Sequence, residues 1–112
     1  MEMLELHLEL DETTPFSPEQ KLWRAVLQRA FEDVIYPGME RPLIIFKYKA
    51  HLWFVEKSDE FCTICYLAGF DCTYVHQQYQ RMVDREQVYF TQNQIDYINW
   101  RKLYNQKRGI KL

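Results

Sequence analysis

The chain has 112 residues, enough for one domain with a single core. It is 47% hydrophobic and 16% aromatic, with only 3 Gly and 4 Pro, which excludes a disordered or collagen-like chain. The net charge of −2 conceals an acidic start, because residues 1–20 contain six carboxylates and no Lys or Arg, and a basic end, because the last fourteen residues contain five bases and no acid.

The first segment alternates apolar and polar residues. From Leu4 to Leu10 it reads Leu-Glu-Leu-His-Leu-Glu-Leu, a period of two that is typical of a half-buried strand. We therefore expect residues 1–16 to form an acidic, β-like arm. This arm could pair with residues 42–46 or with the same arm of a second subunit, add a strand to a partner protein, or remain flexible.

Five helices are predicted in a helical domain that spans residues 17–106. Capping boxes at Ser17–Gln20 and Thr91–Gln94 begin the first and the fifth, and Pro37-Gly38 ends the first. Apolar residues at every third or fourth position mark their inner faces; on the fifth helix these are Ile95, Ile98 and Leu103, with Trp100 or Tyr104. The helices are expected over residues 18–36, 47–55, 60–67, 72–83 and 92–106, while residues 44–46 fit a strand or a helix.

A helix-turn-helix is predicted over residues 59–83. A short helix ends at Gly69, and Asp71 caps the next helix after a three-residue turn. Cys65 lies where two crossing helices need a small residue, and Val75 lies where the second needs an apolar anchor. Glycine suits the turn because it adopts positive φ at little cost. An ordinary corner between two packed helices would share these spacings.

The solvent side of the fourth helix carries side chains that can read DNA. Gln can bond adenine, Arg can bond guanine, and Thr and Tyr can contact phosphate or a thymine methyl, with Asp71 the only acid on this side. Phosphate contacts would come from Arg85 and from the basic end of the chain, whose last part, residues 107–112, forms a tail. The predicted DNA-binding residues are Thr73, Tyr74, His76, Gln77, Gln80, Arg81, Arg85, Arg101, Lys102, Lys107 and Arg108.

The same segment resembles a group of small phage and prophage proteins. The resemblance rests on Trp23-Arg-Ala-Val-Leu27, on Ala50-x-x-Trp53-Phe54, and on Asp59-Glu-Phe61-x-x-Ile64-Cys65-x-Leu67-Ala68-Gly69-x-Asp71-x-x-x-Val75. It covers about residues 18–83. The resemblance implies a helix-turn-helix-like fold, a mobile-element origin and a role in gene regulation.

Metal binding and catalysis find little support in the sequence. Cys62, Cys65, Cys72 and His76 have the residue types of a zinc site, but Cys65 should point inward and His76 outward, so we expect no metal and no cofactor. Phosphate-binding and hydrolase motifs are absent, and His7, His51 and His76 are scattered. We therefore expect a protein that is not an enzyme.

The leading hypothesis is a small phage-type transcriptional regulator that binds double-stranded DNA, as a possible homodimer. The alternatives are a modulator that binds a host enzyme or the transcription machinery, and a small packaging subunit. No apolar run approaches the roughly 18 residues that span a membrane, and three cysteines fit a secreted disulfide framework poorly. We expect a cytoplasmic protein, in the host cell if it is phage-encoded.

Overall fold

The computed structural model describes residues 16–109, and these form five α-helices with no strand among them. The helices are α1 (Pro18–Val34), α2 (Arg41–Glu56), α3 (Asp59–Leu67), α4 (Cys72–Asp84) and α5 (Gln92–Lys107). This confirms the mainly helical fold. Within this part of the chain, no helix is both long and apolar enough to cross a bilayer.

Capping side chains define the starts of four helices. Capping boxes at Ser17 and Thr91 begin α1 and α5, as the sequence predicted. Ser58 accepts a hydrogen bond from the Phe61 amide at the start of α3, and Asp71 accepts one from the Thr73 amide at the start of α4. These contacts satisfy amide groups that have no partner within the helix.

The core lies around the second half of α2, against which α1, α3 and α4 pack. Phe54 is fully buried, stacks on Tyr79 of α4 at 4.4 Å between ring centroids, and lies 4.7 Å from the Phe31 ring of α1. Phe61 of α3 meets Phe54 edge-on at 5.9 Å. Because these four aromatic side chains come from four helices, their burial fixes the helices relative to one another.

α2 begins six residues earlier than predicted. The predicted helix began at Lys47, but α2 begins at Arg41 with Pro42 in its first turn, where proline costs no hydrogen bond. Residues 44–46 are therefore helical, and the pairing of the N-terminal arm with a strand at 42–46 is wrong. The arm itself, residues 1–15, lies outside the described residues.

The inner face of α5 also differs from the prediction. Of the apolar residues expected to face inward only Ile98 is buried, beside Gln94 and Asn105. The expected residues Ile95, Trp100, Leu103 and Tyr104 are exposed. The reason is a buried polar group on α2. The side of α5 that faces this group carries the amide side chain of Gln94 instead of an apolar side chain.

That polar group is Lys47, whose side chain is 1% exposed. Its ammonium donates to the Tyr36 carbonyl at 2.7 Å, the Tyr89 carbonyl at 2.6 Å and Gln94 Oε1 at 2.9 Å. Gln94 Nε2 in turn donates to the carbonyls of Tyr36 and Gly38. We call this network the polar junction; it joins the ends of two loops to α2 and α5, and burial lowers the pKa of Lys47 to about 8.

Candidate nucleic-acid interface

The α3–turn–α4 unit has the geometry predicted from its spacing. Gly69 lies at φ +89° in the turn, and the Phe70 amide donates to the Cys65 carbonyl at 2.8 Å, which closes the end of α3. Cys65, Ala68 and Val75 are completely buried where the two helices meet. The turn residue, the small crossing residue and the apolar anchor are thus confirmed in position.

Gly69 has a second structural role that the sequence did not indicate. A Cβ atom at this position would lie 3.2 Å from the Arg24 guanidinium of α1, tighter than an ordinary contact. That guanidinium lies 3.7 Å above the Phe16 ring and 5.1 Å from the Phe70 ring. Any side chain larger than hydrogen would therefore disturb both the turn and its contact with α1.

A disulfide joins Cys62 of α3 to Cys72 of α4, with their Cα atoms 4.9 Å apart. The sequence analysis did not foresee this bond, which ties the two helices together beside the buried Cys65. Cys62 and Cys72 are then not thiolate ligands, and no cluster of metal-binding side chains occurs between residues 16 and 109. A disulfide is uncommon in the cytoplasm, and the cytoplasmic location expected from the sequence stays a prediction.

The outer side of α4 divides the predicted DNA-reading residues into two groups. Thr73, Gln77, Gln80 and Arg81 are exposed, and we call these four the reading face. Tyr74 and His76 are half-buried, contrary to the prediction that they face solvent, because each lies at a flank of the helix. Tyr74 stacks on Phe70 with a centroid distance of 6.4 Å.

The charge on this side of α4 is more mixed than predicted. Lys57 donates to the Thr73 hydroxyl at 3.2 Å and thus brings a cation beside the first turn. Asp84, however, is exposed one turn beyond Gln80 on the same side, so Asp71 is not the only acid there. The N-terminal end of α4, where a recognition helix enters the groove, is the part without a carboxylate beyond its cap.

The predicted phosphate contacts of α5 do not adjoin the reading face, because α5 packs mainly against α2. Arg101 is half-buried and donates to the Tyr97 hydroxyl at 3.0 Å. Lys102 lies 4.6 Å above the Tyr48 ring, and Arg108 lies 5.6 Å from the Tyr104 ring. Lys107 and Arg85 are exposed, and Arg85 follows directly after α4. The predicted set therefore falls on two surfaces.

The second surface contains residues that the sequence analysis missed. Tyr97, Trp100 and Tyr104 stack along α5, and Arg41 of α2 lies 5.6 Å from the Tyr97 ring. The spacing of three and four between the rings was visible in the sequence, but Trp100 and Tyr104 were assigned to the core. The signal for this surface in the sequence was Trp100-Arg101 with Tyr97 and Tyr104 one turn before and after it.

His51, one of the three scattered histidines, is paired in the interior. Its Nδ1 lies 2.7 Å from the buried Tyr79 hydroxyl, and its ring meets Phe90 edge-on at 5.5 Å. Burial, with a smaller contribution from the positive Lys47, lowers the pKa of His51, and burial raises the pKa of Tyr79. Both groups are therefore neutral at pH 7 and hold α2 against α4.

Comparison with models of known protein families, with curated proteins and with solved structures finds no match to this chain.

Proposed function

We propose that this protein is a small DNA-binding transcriptional regulator of the phage or mobile-element type, in which α4 enters the major groove. The observation that supports this most is the α3–turn–α4 unit, whose second helix is anchored by Val75 and Tyr79 and leaves Thr73, Gln77, Gln80 and Arg81 exposed. Amide and guanidinium groups read adenine and guanine edges by paired hydrogen bonds.

The positive charge near α4 is modest, which shapes the expected binding. Lys57, Arg81 and Arg85 are the cations on or beside α4, so few phosphates would be neutralised and the salt dependence would be shallow for a specific binder. Sequence discrimination would then rest mainly on Gln77, Gln80 and Arg81. A homodimer would double the number of phosphate contacts and of base contacts. It stays a prediction, which sedimentation equilibrium tests.

The experiment is fluorescence anisotropy with duplexes selected from a random library, from about 50 to 200 mM salt. Substituting Gln77, Gln80 and Arg81 together by Ala should lower the affinity for the selected duplexes by about 100-fold, since each paired contact contributes roughly 1–3 kcal/mol. Lys21→Gln, which removes one exposed charge from α1, should leave the preference intact. Failure of the folded wild-type protein to bind any duplex at low salt contradicts the proposal.

A second candidate function, binding to a host protein, is supported by an apolar groove between α1, α2 and α3. The groove has a volume of about 590 Å³, and its floor includes Ala50, Trp53 and Ile64. Leu22 and Val26 of α1 form one wall and are 59% and 37% exposed, because the apolar stripe of α1 is wider than the core covers. An amphipathic helix of the partner is the occupant that such a groove takes.

The groove and the reading face share no residue, so the two functions can be separated. Leu22→Ser with Val26→Ser should abolish retention of a specific host protein in a pull-down and leave duplex binding unchanged. The triple substitution on α4 should do the reverse. Retention of the same protein by both variants would contradict the groove as its binding site.

A further inference from the structure

The outer side of α5 carries a ladder of stacked rings. Tyr97 and Trp100 lie 6.0 Å apart between centroids with planes 26° apart, and Trp100 and Tyr104 lie 5.3 Å apart with planes 21° apart. Trp100 is 53% exposed and Tyr104 is 43% exposed. The exposed parts of these two rings leave aromatic surface that a further flat group can contact.

Arginine side chains accompany the ladder along its length. Arg41 lies 5.6 Å from the Tyr97 ring, and Arg101 donates to both the Tyr97 hydroxyl and Asn105 Oδ1. Arg108 lies 5.6 Å from the Tyr104 ring and donates to its hydroxyl at 3.4 Å. The guanidinium groups are therefore positioned by aromatic partners rather than by acids.

No carboxylate neutralises these three arginines within the described residues. The ion pair found there joins Arg29 to Asp33 on α1. The acid on α5, Asp96, lies one turn before Trp100 and accepts a hydrogen bond from Gln92 rather than from an arginine. A hollow of about 630 Å³ separates the ladder from the start of α2, and its lining contains no acid: Arg41, Pro42, Ile45, Phe46, Tyr97, Trp100, Arg101 and Tyr104.

We propose that this surface, the α5 aromatic face (Tyr97, Trp100, Tyr104, Arg41, Arg101 and Arg108), binds a single-stranded nucleic acid. Unpaired bases would pack against the exposed surfaces of Trp100 and Tyr104, and the phosphates between the bases would contact the three arginines. Stacked aromatic side chains beside a positive groove are the common means of holding unpaired strands. A duplex cannot use the rings, because its bases are stacked on one another, and it would meet only the arginines.

This proposal does not depend on duplex recognition by α4. The α5 aromatic face and the reading face share no residue, and α5 packs mainly on α2. A protein that both reads a duplex and holds an unpaired strand could act where duplex DNA is opened or where a transcript emerges. Each activity can be lost without the other.

The test measures anisotropy of labelled 12-nucleotide oligo(dT) and oligo(U) beside a duplex of equal length. Trp100→Ala with Tyr104→Ala should weaken binding of the unpaired strands by at least about tenfold, since stacking contributes roughly 1–3 kcal/mol per base. Both side chains are about half exposed, so the variant should fold, which circular dichroism checks. The matched control is Tyr66→Ala, which removes a 78% exposed ring from α3 and should bind like wild type.

A second readout separates stacking from charge attraction. Oligo(dT) should quench the fluorescence of Trp100 in the wild-type protein. In Trp100→Phe, which keeps an aromatic ring and most of the affinity, this quenching should be absent, and the difference assigns the signal to Trp100. Substituting Arg41, Arg101 and Arg108 by Gln should reduce the salt dependence of binding, since each phosphate contact contributes to that slope.

Three results would overturn the proposal. One is a folded wild-type protein that binds no unpaired strand at low salt, and another is a Trp100/Tyr104 variant that binds as tightly as wild type. The third is that the Trp100/Tyr104 variant loses self-association or binding to a protein while it still binds unpaired strands. That result would make the surface a protein interface, in which Trp, Tyr and Arg are also common.

Discussion

The two halves of α2 hold their neighbours by opposite means. The second half buries Phe54 among Phe31, Phe61 and Tyr79, so α1, α3 and α4 are joined by apolar area and ring contacts. The first half presents Lys47, whose three hydrogen bonds hold two loops and α5. The first arrangement depends on close packing of apolar side chains, whereas the second depends on every donor finding its acceptor.

This difference bears on function, because each half supports a different surface. The aromatic core positions the reading face of α4, and the polar junction positions α5 with its aromatic face. Damage to the core should therefore unfold the whole domain. Damage to the junction should release α5 first and leave the α3–turn–α4 unit in place.

The largest effect is expected from Phe54→Ala, which removes a fully buried ring that contacts four others. The free energy of unfolding should fall by about 4 kcal/mol, the usual cost of an aromatic cavity. Urea unfolding followed by circular dichroism measures it. Phe46→Ala on the same helix, where the ring is 47% exposed, should cost less than about 1 kcal/mol. Equal costs for the two would contradict the core described above.

Lys47→Met should cost about 3 kcal/mol, because it leaves the Tyr89 carbonyl without its donor and removes one of two donors from the Tyr36 carbonyl and from Gln94 Oε1. Native-state hydrogen exchange should show the amides of α5 exchanging faster than those of α4. Lys49→Met, two residues away and exposed, should change stability by no more than about 0.5 kcal/mol. A neutral Lys47→Met would mean that packing, not hydrogen bonding, holds α5.

The disulfide joins α3 to α4, which both pack on the aromatic core. Its reduction should therefore weaken the α3–turn–α4 unit and not the polar junction that holds α5. A bond that closes a loop between residues 62 and 72, ten apart in sequence, stabilises by about 2.7 kcal/mol in the chain-entropy account. Unfolding with and without reductant measures this difference. Cys62→Ser with Cys72→Ser should be insensitive to reductant. A reductant effect that persists in this variant would have to come from another source.

The helices around the aromatic core could be predicted from the sequence, because the signals that mark them are local. Capping boxes, the three-and-four spacing on α1, and the turn at Gly69 each depend on residues within one or two helical turns. The fold class followed from these signals, and so did four of the six residues of α4 predicted to face solvent. The start of α2 was missed because the apolar run at residues 44–46 fits a strand as well as a helix, and Pro42 is well tolerated in a first turn.

The junction half could not be predicted, because its partners are distant in sequence. Lys47 bonds groups 11, 42 and 47 residues away. Lysine and glutamine are seldom buried, so a pattern reading assigns Lys47 and Gln94 to the surface and Trp100 to the core. The assignment of Trp100 to the core was wrong for this reason, and the aromatic face went unnoticed with it. The Cys62–Cys72 bond was missed because spacing alone does not give pairing.

The smallest predicted effect is a pH dependence that belongs to the junction half alone. Burial lowers the pKa of Lys47 from 10.5 to about 8, so at pH values between these the unfolded chain holds more protons than the folded one. Stability should therefore rise with pH as Lys47 loses its charge in the folded state. Cys65 acts in the opposite direction above its ordinary pKa of 9.0, because burial raises its pKa to about 12. The rise is thus confined to about pH 8–9.

Between pH 8 and pH 9 the free energy of unfolding of the wild-type protein should increase by about 1 kcal/mol relative to that of Lys47→Met. In the variant, the remaining groups, Cys65 and Tyr79, have raised pKa values, so its stability should be flat or falling over the same range. Urea unfolding at closely spaced pH values measures both curves. Parallel curves would mean that the ammonium, with three acceptors around it, keeps its proton, and that the junction is held by charge-assisted hydrogen bonds throughout this range.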